Sequence, residues 1–188
     1  MKNIQAFTTT TFAFLLISYH SFCQEIKPPK GYSNDIGNMV AMLDDIKGRI
    51  HRITMNMNQD QVDFLLDENA NRIGAMIMHL AATEAYYQVF TFENREFNDV
   101  EKEKWMTGLM LGDDAREEFK GKPIAYYFEI WDEVRNQTKE LLKEKDDKWF
   151  ASKAKGTQMN YYWAWFHVME HQSNHMGQIA LLRSRVPQ

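Results

Sequence analysis

The chain has 188 residues, of which 22 are basic, 26 are acidic and 44% are hydrophobic, a balance typical of one globular domain. Disordered, collagen-like and coiled-coil proteins are excluded. The formal net charge is −4 and no long basic run occurs, so we expect no nucleic-acid partner. Because only 9 glycines and 4 prolines are present, the composition favours an all-helical fold over many short strands.

Residues 1–23 have the pattern of a secretory signal peptide, with a positive Lys2, an apolar run at 12–17 and small residues before a polar pair. The apolar run is much shorter than the roughly 20 residues of a membrane-spanning helix. We therefore expect cleavage after Cys23, export to the periplasm or the medium, and no stable membrane span. A lipid-modified Cys23 is the alternative.

Cys23 is the only cysteine, so the mature chain would contain none. Disulfides, thiolate metal ligands and a cysteine nucleophile are thereby excluded from the folded domain. Any site chemistry must come from histidines, carboxylates, hydroxyls or amides.

Residues 24–32 contain two prolines and a glycine and predict an extended leader, followed by a single domain at 33–188. Within this domain, apolar residues recur at spacings of three and four, which is typical of amphipathic helices packed against a core. A loop is expected at 149–158. The predicted helices cover approximately residues 34–57, 70–92, 123–142 and 159–185.

The connections are predicted from capping residues and glycines. Ser33 or Asn34 can cap the first helix, and the polar residues 67–69 can cap the second. Residues 93–122 are expected to be a long crossover, which would allow the second and third helices to run parallel. Its apolar piece, 105–111, is a candidate lid over one end of a helical bundle.

The fourth predicted helix carries His167, His171 and His175, four residues apart, so their side chains project from one face. Either successive pair can bind one divalent ion such as zinc, whose bonds to imidazole nitrogens are about 2.0–2.1 Å long. A third ligand must come from another helix, and His79 lies at a similar depth in the second helix.

Core histidines are the common alternative to a metal site for such a spacing. Several unpaired imidazoles on a largely apolar helix would be costly to bury, which favours the metal site. Gly177, in the middle of the fourth helix, costs about 1 kcal/mol relative to alanine and predicts that another helix approaches closely there.

Two segments, HLAATEAYY at 79–87 and HVMEHQSNHMGQI at 167–179, resemble the DinB/YfiT-like family of metal-binding four-helix bundles. The resemblance covers nearly the whole domain and implies an up-down-down-up bundle. It also implies that one histidine of the second helix and two of the fourth hold a nickel or zinc ion. The implied ligands are His79, His171 and His175, with His167 as a neighbouring donor, a core residue or an alternative ligand.

The resemblance also implies a range of functions, because relatives include S-transferases that use low-molecular-weight thiols such as bacillithiol or mycothiol, a maleylpyruvate isomerase and metal-dependent hydrolases. Relatives often form homodimers. Three histidine ligands leave the ion an open position, where it can lower the pKa of a bound water or thiol.

We therefore expect a metal-dependent transferase or hydrolase that acts on a small electrophilic molecule. Glu84 and Glu170 are the candidate acid/base groups nearest to the ligands in the sequence. The alternative is a non-catalytic helical bundle, with a structural metal or none, that acts as a binding or stress protein. The sequence leaves open whether the protein is an enzyme.

Overall fold

A computed structural model describes residues 25–187 of the chain. The regular structure in this part is helical apart from one isolated bridge between Lys153 and Asn160, which confirms the all-helical prediction. The predicted signal peptide at 1–23, including Cys23, lies outside the described residues. Among the helices that are described, none has the length and apolar character needed to cross a membrane.

Eight α-helices and one π-helical turn occur between residues 25 and 187. Four of the helices are long, and they correspond to the four predicted from the apolar spacing. The elements are α1 (Asn34–Thr54), α2 (Gln59–Val62), α3 (Ile73–Gln88), its π-helical extension (Val89–Glu93), α4 (Asp99–Met110), α5 (Gly112–Glu118), α6 (Ile124–Lys143), α7 (Asp147–Ala151) and α8 (Tyr161–Arg185).

The central helix is α3, which packs against α4, α6 and α8, while α1 packs against α6 and α8. All residues from Ile73 to Ala85 are buried except His79, which is partly exposed. A helix that is apolar on nearly every side is stable only when neighbours surround it. This arrangement makes the one polar ring on that stretch, His79, conspicuous.

The predicted crossover at 93–122 contains two helices. α4 begins with a capping box and packs against α3, where Gly108 lies beside Met78 and Ala82. The apolar piece at 105–111 therefore lies along the side of α3, and the prediction that it covers one end of a bundle is wrong.

The start of α3 also differs from the prediction. The helix begins at Ile73, and its N-cap residue, Arg72, makes no side-chain capping hydrogen bond, so residues 67–69 do not cap it. Towards the end of the chain, α7 (Asp147–Ala151) occupies the beginning of the predicted loop at 149–158.

The N-terminus of α1 is capped from a distant part of the chain. Ser33 is the N-cap residue, as predicted, but its hydroxyl donates to the carboxylate of Asp147 at 2.6 Å. The backbone N–H groups of Asp35 and Ile36 donate to the same carboxylate oxygen at 3.0 and 3.3 Å. A negative charge at this position also stabilises the positive end of the helix dipole.

Gly177 does not mark a close helix contact. It is exposed, and no atom lies within 4 Å of the position that a β-carbon would occupy. Close packing occurs at Gly74 instead, where a β-carbon would lie 2.5 Å from the ring of Tyr127. The prediction for Gly177 was wrong because a glycine in a helix does not by itself reveal a neighbour.

Replacing Gly177 with alanine is expected to raise the free energy of unfolding by up to about 1 kcal/mol, because alanine restricts the unfolded chain and meets no neighbour in the fold. Urea unfolding of the metal-free protein, followed by circular dichroism, measures the change. The control is Gly74→Ala, which should lower the free energy of unfolding by about 1–3 kcal/mol through overpacking against Tyr127. Equal effects of the two variants would contradict this assignment of packing.

Candidate metal centre

Three imidazole rings from α3 and α8 converge on one point. Nε2 of His79 lies 3.1 Å from Nε2 of His171, and Nε2 of His175 lies 3.2 Å from the same atom. The candidate ligand atoms of the three residues all lie within 4.8 Å of one another. Within residues 25–187, this group contains no fourth histidine, cysteine or carboxylate.

These separations fit the ligand shell of a single divalent ion. Two imidazole nitrogens bound to zinc at about 2.05 Å in tetrahedral geometry would lie about 3.3 Å apart. The observed separations of 3.1 and 3.2 Å are close to that value. Each of the three residues is only partly buried, and three ligands leave one position of a tetrahedral ion for an external ligand.

His79 is oriented by the backbone of α4. Its Nδ1 lies 3.0 Å from the carbonyl oxygen of Gly108 and donates its proton there, which leaves Nε2 unprotonated towards the other two rings. α4 reaches this position because Gly108 has no β-carbon, which would lie only 3.2 Å from Cγ of Met78. Gly108 was not predicted as a site residue, because its role depends on the packing of α4 against α3.

Burial keeps the three rings neutral. Burial lowers the pKa of His79, although the hydrogen bond to Gly108 opposes the shift. Burial also lowers the pKa of His175, and the nearby ring of His79 lowers it further. Burial and the like charges of the neighbouring rings lower the pKa of His171 to about 3. Neutral imidazole is the form that binds a metal ion.

Hydrogen bonding within the cluster does not satisfy all of its nitrogen atoms. Nε2 of His171 faces both other Nε2 atoms, and it can donate a proton to only one of them. Its buried Nδ1 has no hydrogen-bond partner among the described residues. A donor set of three neutral imidazoles with facing lone pairs fits a divalent cation of the zinc or nickel type.

His167 lies one turn before His171 and outside the cluster. Its ring stacks on Trp163, with centroids 5.3 Å apart, and lies 5.8 Å from the ring of Tyr87. The structure therefore brings the pair His171 and His175 to His79, out of the two pairs that the spacing on α8 allowed.

Glu84 belongs to a buried hydrogen-bond network on another side of α3. Burial raises the pKa of this carboxyl group, but the guanidinium of Arg135 and the hydrogen bonds outweigh that effect, and the pKa lies below its ordinary value of 4.5. The carboxylate stays ionised with both oxygens occupied, so it has a structural role in place of the predicted acid/base role. Its hydrogen-bond donors are Trp131, Arg135, Thr138 and Gln172, at 2.7–3.1 Å.

Glu170, the other predicted acid/base group, is on the surface of α8. Its carboxylate accepts a hydrogen bond from Asn174 at 3.1 Å and lies 3.7 Å from Nδ1 of His167. Its side chain is 45% exposed. Its role in proton transfer stays a prediction.

Comparison with known families agrees with the geometry of the cluster. The family model described as mycothiol-S-transferase matches residues 38–188, a range that contains His79, His171 and His175. Curated proteins give no match to this sequence. The match confirms the DinB/YfiT-like resemblance, and together with the three-histidine cluster it indicates a divalent metal. The chain belongs to the mycothiol-S-transferase family, which is one of the DinB/YfiT-like families.

Proposed function

We propose that the protein is a metal-dependent thiol S-transferase that joins a low-molecular-weight thiol to a small electrophilic molecule. The observation that carries this proposal is the convergence of His79, His171 and His175 with 3.1 and 3.2 Å between facing Nε2 atoms. Sites with three protein ligands and one open position are typical of catalytic metal centres, whereas structural zinc sites are closed by four. Membership of the mycothiol-S-transferase family supports a thiol as the nucleophile.

A divalent ion held by these rings would supply Lewis acidity, which lowers the pKa of a thiol or water bound to it. The chain itself supplies fixed and neutral ligands. Gly108 holds the ring of His79 in one tautomer, and burial keeps His171 and His175 in the neutral form. Near the start of α8, before the candidate ligands, the exposed indole of Trp163 offers an aromatic surface for an apolar electrophile.

The test is a transfer assay with zinc- or nickel-loaded protein, bacillithiol or mycothiol as the thiol, and 1-chloro-2,4-dinitrobenzene as the electrophile. In the reaction a sulfur–carbon bond forms, the carbon–chlorine bond breaks, chloride leaves and the thiol proton passes to the buffer. We expect thioether formation above the uncatalysed rate. The matched control is His51→Ala, which alters an exposed histidine of α1 and should keep the wild-type rate.

The outcomes separate the alternatives. Absence of thioether above the uncatalysed rate with every thiol, although the metal is bound, would contradict the transferase. Attack of water in place of the thiol, measured as dinitrophenol release, would favour the hydrolase. A bundle that binds stoichiometric metal and catalyses neither reaction would favour a structural ion in a binding or stress protein.

We also propose that the four long helices form the up-down-down-up bundle of the family. Contacts that advance in the same sense along two helices support a parallel pair, and contacts that advance in opposite senses support an antiparallel pair. The parallel pair is α3 with α6, and the antiparallel pairs are α1 with α6 and α3 with α8. For α3 with α6 the contacts are Glu84–Trp131 and Gln88–Thr138. For α1 with α6 they are Asp44–Lys139 and Lys47–Asp132. For α3 with α8 they are His79–His175 and Tyr87–His167.

Export and self-association are further parts of the proposal. The pattern of residues 1–23 supports a cleaved signal peptide, and mass spectrometry of the protein recovered outside the cytoplasm would show whether it begins at Gln24. A lipid-modified Cys23 would instead give a membrane-associated product with an added lipid mass. Family resemblance supports a homodimer, which light scattering after gel filtration would detect.

A further inference from the structure

Thr83 differs from the other buried threonines among residues 25–187. A threonine in a helix commonly donates its hydroxyl proton to the carbonyl oxygen four residues earlier. Thr54 and Thr91 do so, with Oγ1 at 2.8 and 2.6 Å from the oxygens of the residues four before them, while the hydroxyl of Thr138 donates to the carboxylate of Glu84 at 2.7 Å. Oγ1 of Thr83 is also buried, yet it has no hydrogen-bond partner in the structure.

The residue four before Thr83 is His79, so both lie on the stripe of α3 that faces α8. One turn further along the same stripe is Tyr87. His79 meets His171 and His175, whereas Tyr87 packs near His167. Thr83 is therefore level with the part of α8 between the candidate metal ligands and His167.

A buried hydroxyl without a partner is unfavourable, and valine has nearly the same shape without a polar atom. Packing alone thus gives no reason for a hydroxyl at this position. The unused hydrogen-bonding capacity, one turn along α3 from the candidate ligand His79, points to a partner that is not part of the chain.

We propose that the hydroxyl of Thr83 donates a hydrogen bond to the anionic ligand in the open coordination position of the ion held by His79, His171 and His175. For the reaction proposed above, that ligand is the sulfur of the thiolate. This inference rests on the proposed metal site, and it makes Thr83 a residue that binds and orients the nucleophile. Thr83 is not itself a metal ligand, so its replacement leaves the metal content unchanged.

The test uses cobalt-loaded protein, whose visible spectrum reports ligands at the open position, titrated with azide and separately with 2-mercaptoethanol. In Thr83→Val we expect both ligands to bind about tenfold more weakly or worse, since a hydrogen bond to a charged atom is lost. Thr83→Ser should restore most of the affinity. Metal stoichiometry should stay equal to that of the wild type in both variants.

Unfolding in urea distinguishes a role in ligand binding from a structural role. If the hydroxyl of Thr83 stabilised the fold, its removal would lower the urea midpoint. Thr83→Val loses no internal hydrogen bond, so its midpoint in the metal-free protein should equal or exceed the wild-type midpoint. The matched control is Thr54→Val, which loses the bond to Ile50, should unfold at lower urea concentration and should bind both ligands normally.

Two results would overturn the role of Thr83: wild-type affinity of Thr83→Val for both ligands, or a fall in its urea midpoint as large as that of Thr54→Val. If azide binding depends on Thr83 while the wild type binds no thiol, the role of the hydroxyl stands and the thiol transferase fails. Cobalt-loaded wild type that binds neither ligand would overturn both.

Discussion

Arg135→Met is expected to lower the free energy of unfolding by about 3–5 kcal/mol, because it leaves the buried carboxylate of Glu84 without its counter-ion. Both side chains are almost fully buried, at 3% and 0% exposure, and Nε of Arg135 lies 2.7 Å from the carboxylate. Arg135 also donates to Asp44 on α1 and Gln172 on α8. Urea unfolding followed by circular dichroism gives the value.

The matched control is Arg49→Met, which removes an exposed arginine of α1 that lies 3.9 Å from Asp45. Exposed pairs of this kind contribute less than about 1 kcal/mol. In the double variant Glu84→Gln/Arg135→Met neither charge of the buried pair remains, so it should be more stable than Arg135→Met alone. A loss in Arg135→Met no larger than that in Arg49→Met would contradict the buried ion pair.

The pH dependence supplies a second check on the same pair. In the wild type, the folded-state pKa of Glu84 lies below its ordinary value of 4.5, so its stabilising contribution is complete above that pH and is lost as the pH falls through the folded-state pKa. In Arg135→Met, burial without the guanidinium raises the pKa, and protonation relieves the uncompensated charge. The difference in stability between the two proteins should therefore narrow as the solution is acidified.

The network around Glu84 also shows why this residue was misassigned from the sequence. Its position five residues after His79 gave proximity along the chain, but the two side chains project from different sides of α3. The partners of Glu84 come from α6 and α8, and nothing in a single sequence pairs a carboxylate with an arginine 51 residues away. Gln172 follows His171 directly and hydrogen bonds to Glu84, so the buried network and the histidine cluster connect the same two helices.

The four long helices were predictable because apolar residues recur every three to four positions along them, on one face in α1 and α6 and on nearly every side in α3. The helices of the crossover were not, because α4 and α5 bury little: Trp105, Gly108 and Ala115 are their only buried residues. The capping of α1 by Asp147 was equally out of reach, since it depends on tertiary contact between distant segments.

The candidate site was predictable to the extent that helix geometry fixes distances. A spacing of four residues places His171 beside His175, and it equally places His167 beside His171. The choice between the two pairs depends on how far α3 is shifted along α8, which the spacing does not give. The family resemblance supplied that choice. The hydrogen bond from His79 to Gly108 depends on the packing of α4, which the apolar spacing did not predict.

His171→Ala should have the largest effect on metal binding, because Nε2 of His171 lies nearest to both other Nε2 atoms. We expect the affinity for zinc or nickel to fall more than about 100-fold, since even residues that only support metal ligands contribute 10- to 100-fold. His79→Ala should lower the affinity for the ion to a similar extent. Competition with a chromophoric chelator measures the affinity, and His167→Ala, on the same face of α8, is the control that should retain the metal.

Stability then separates a reactive ion from a structural one. Metal at about 1,000 times its Kd should stabilise the wild type by roughly 4 kcal/mol and leave the His171→Ala variant unchanged. Without metal the two proteins should unfold at similar urea concentrations, because the apolar clusters and the pair of Glu84 with Arg135 do not include His171. If His171→Ala is instead unfolded in the absence of urea, the ion holds the helices together, and the open transferase site is contradicted because a site on which folding depends is structural.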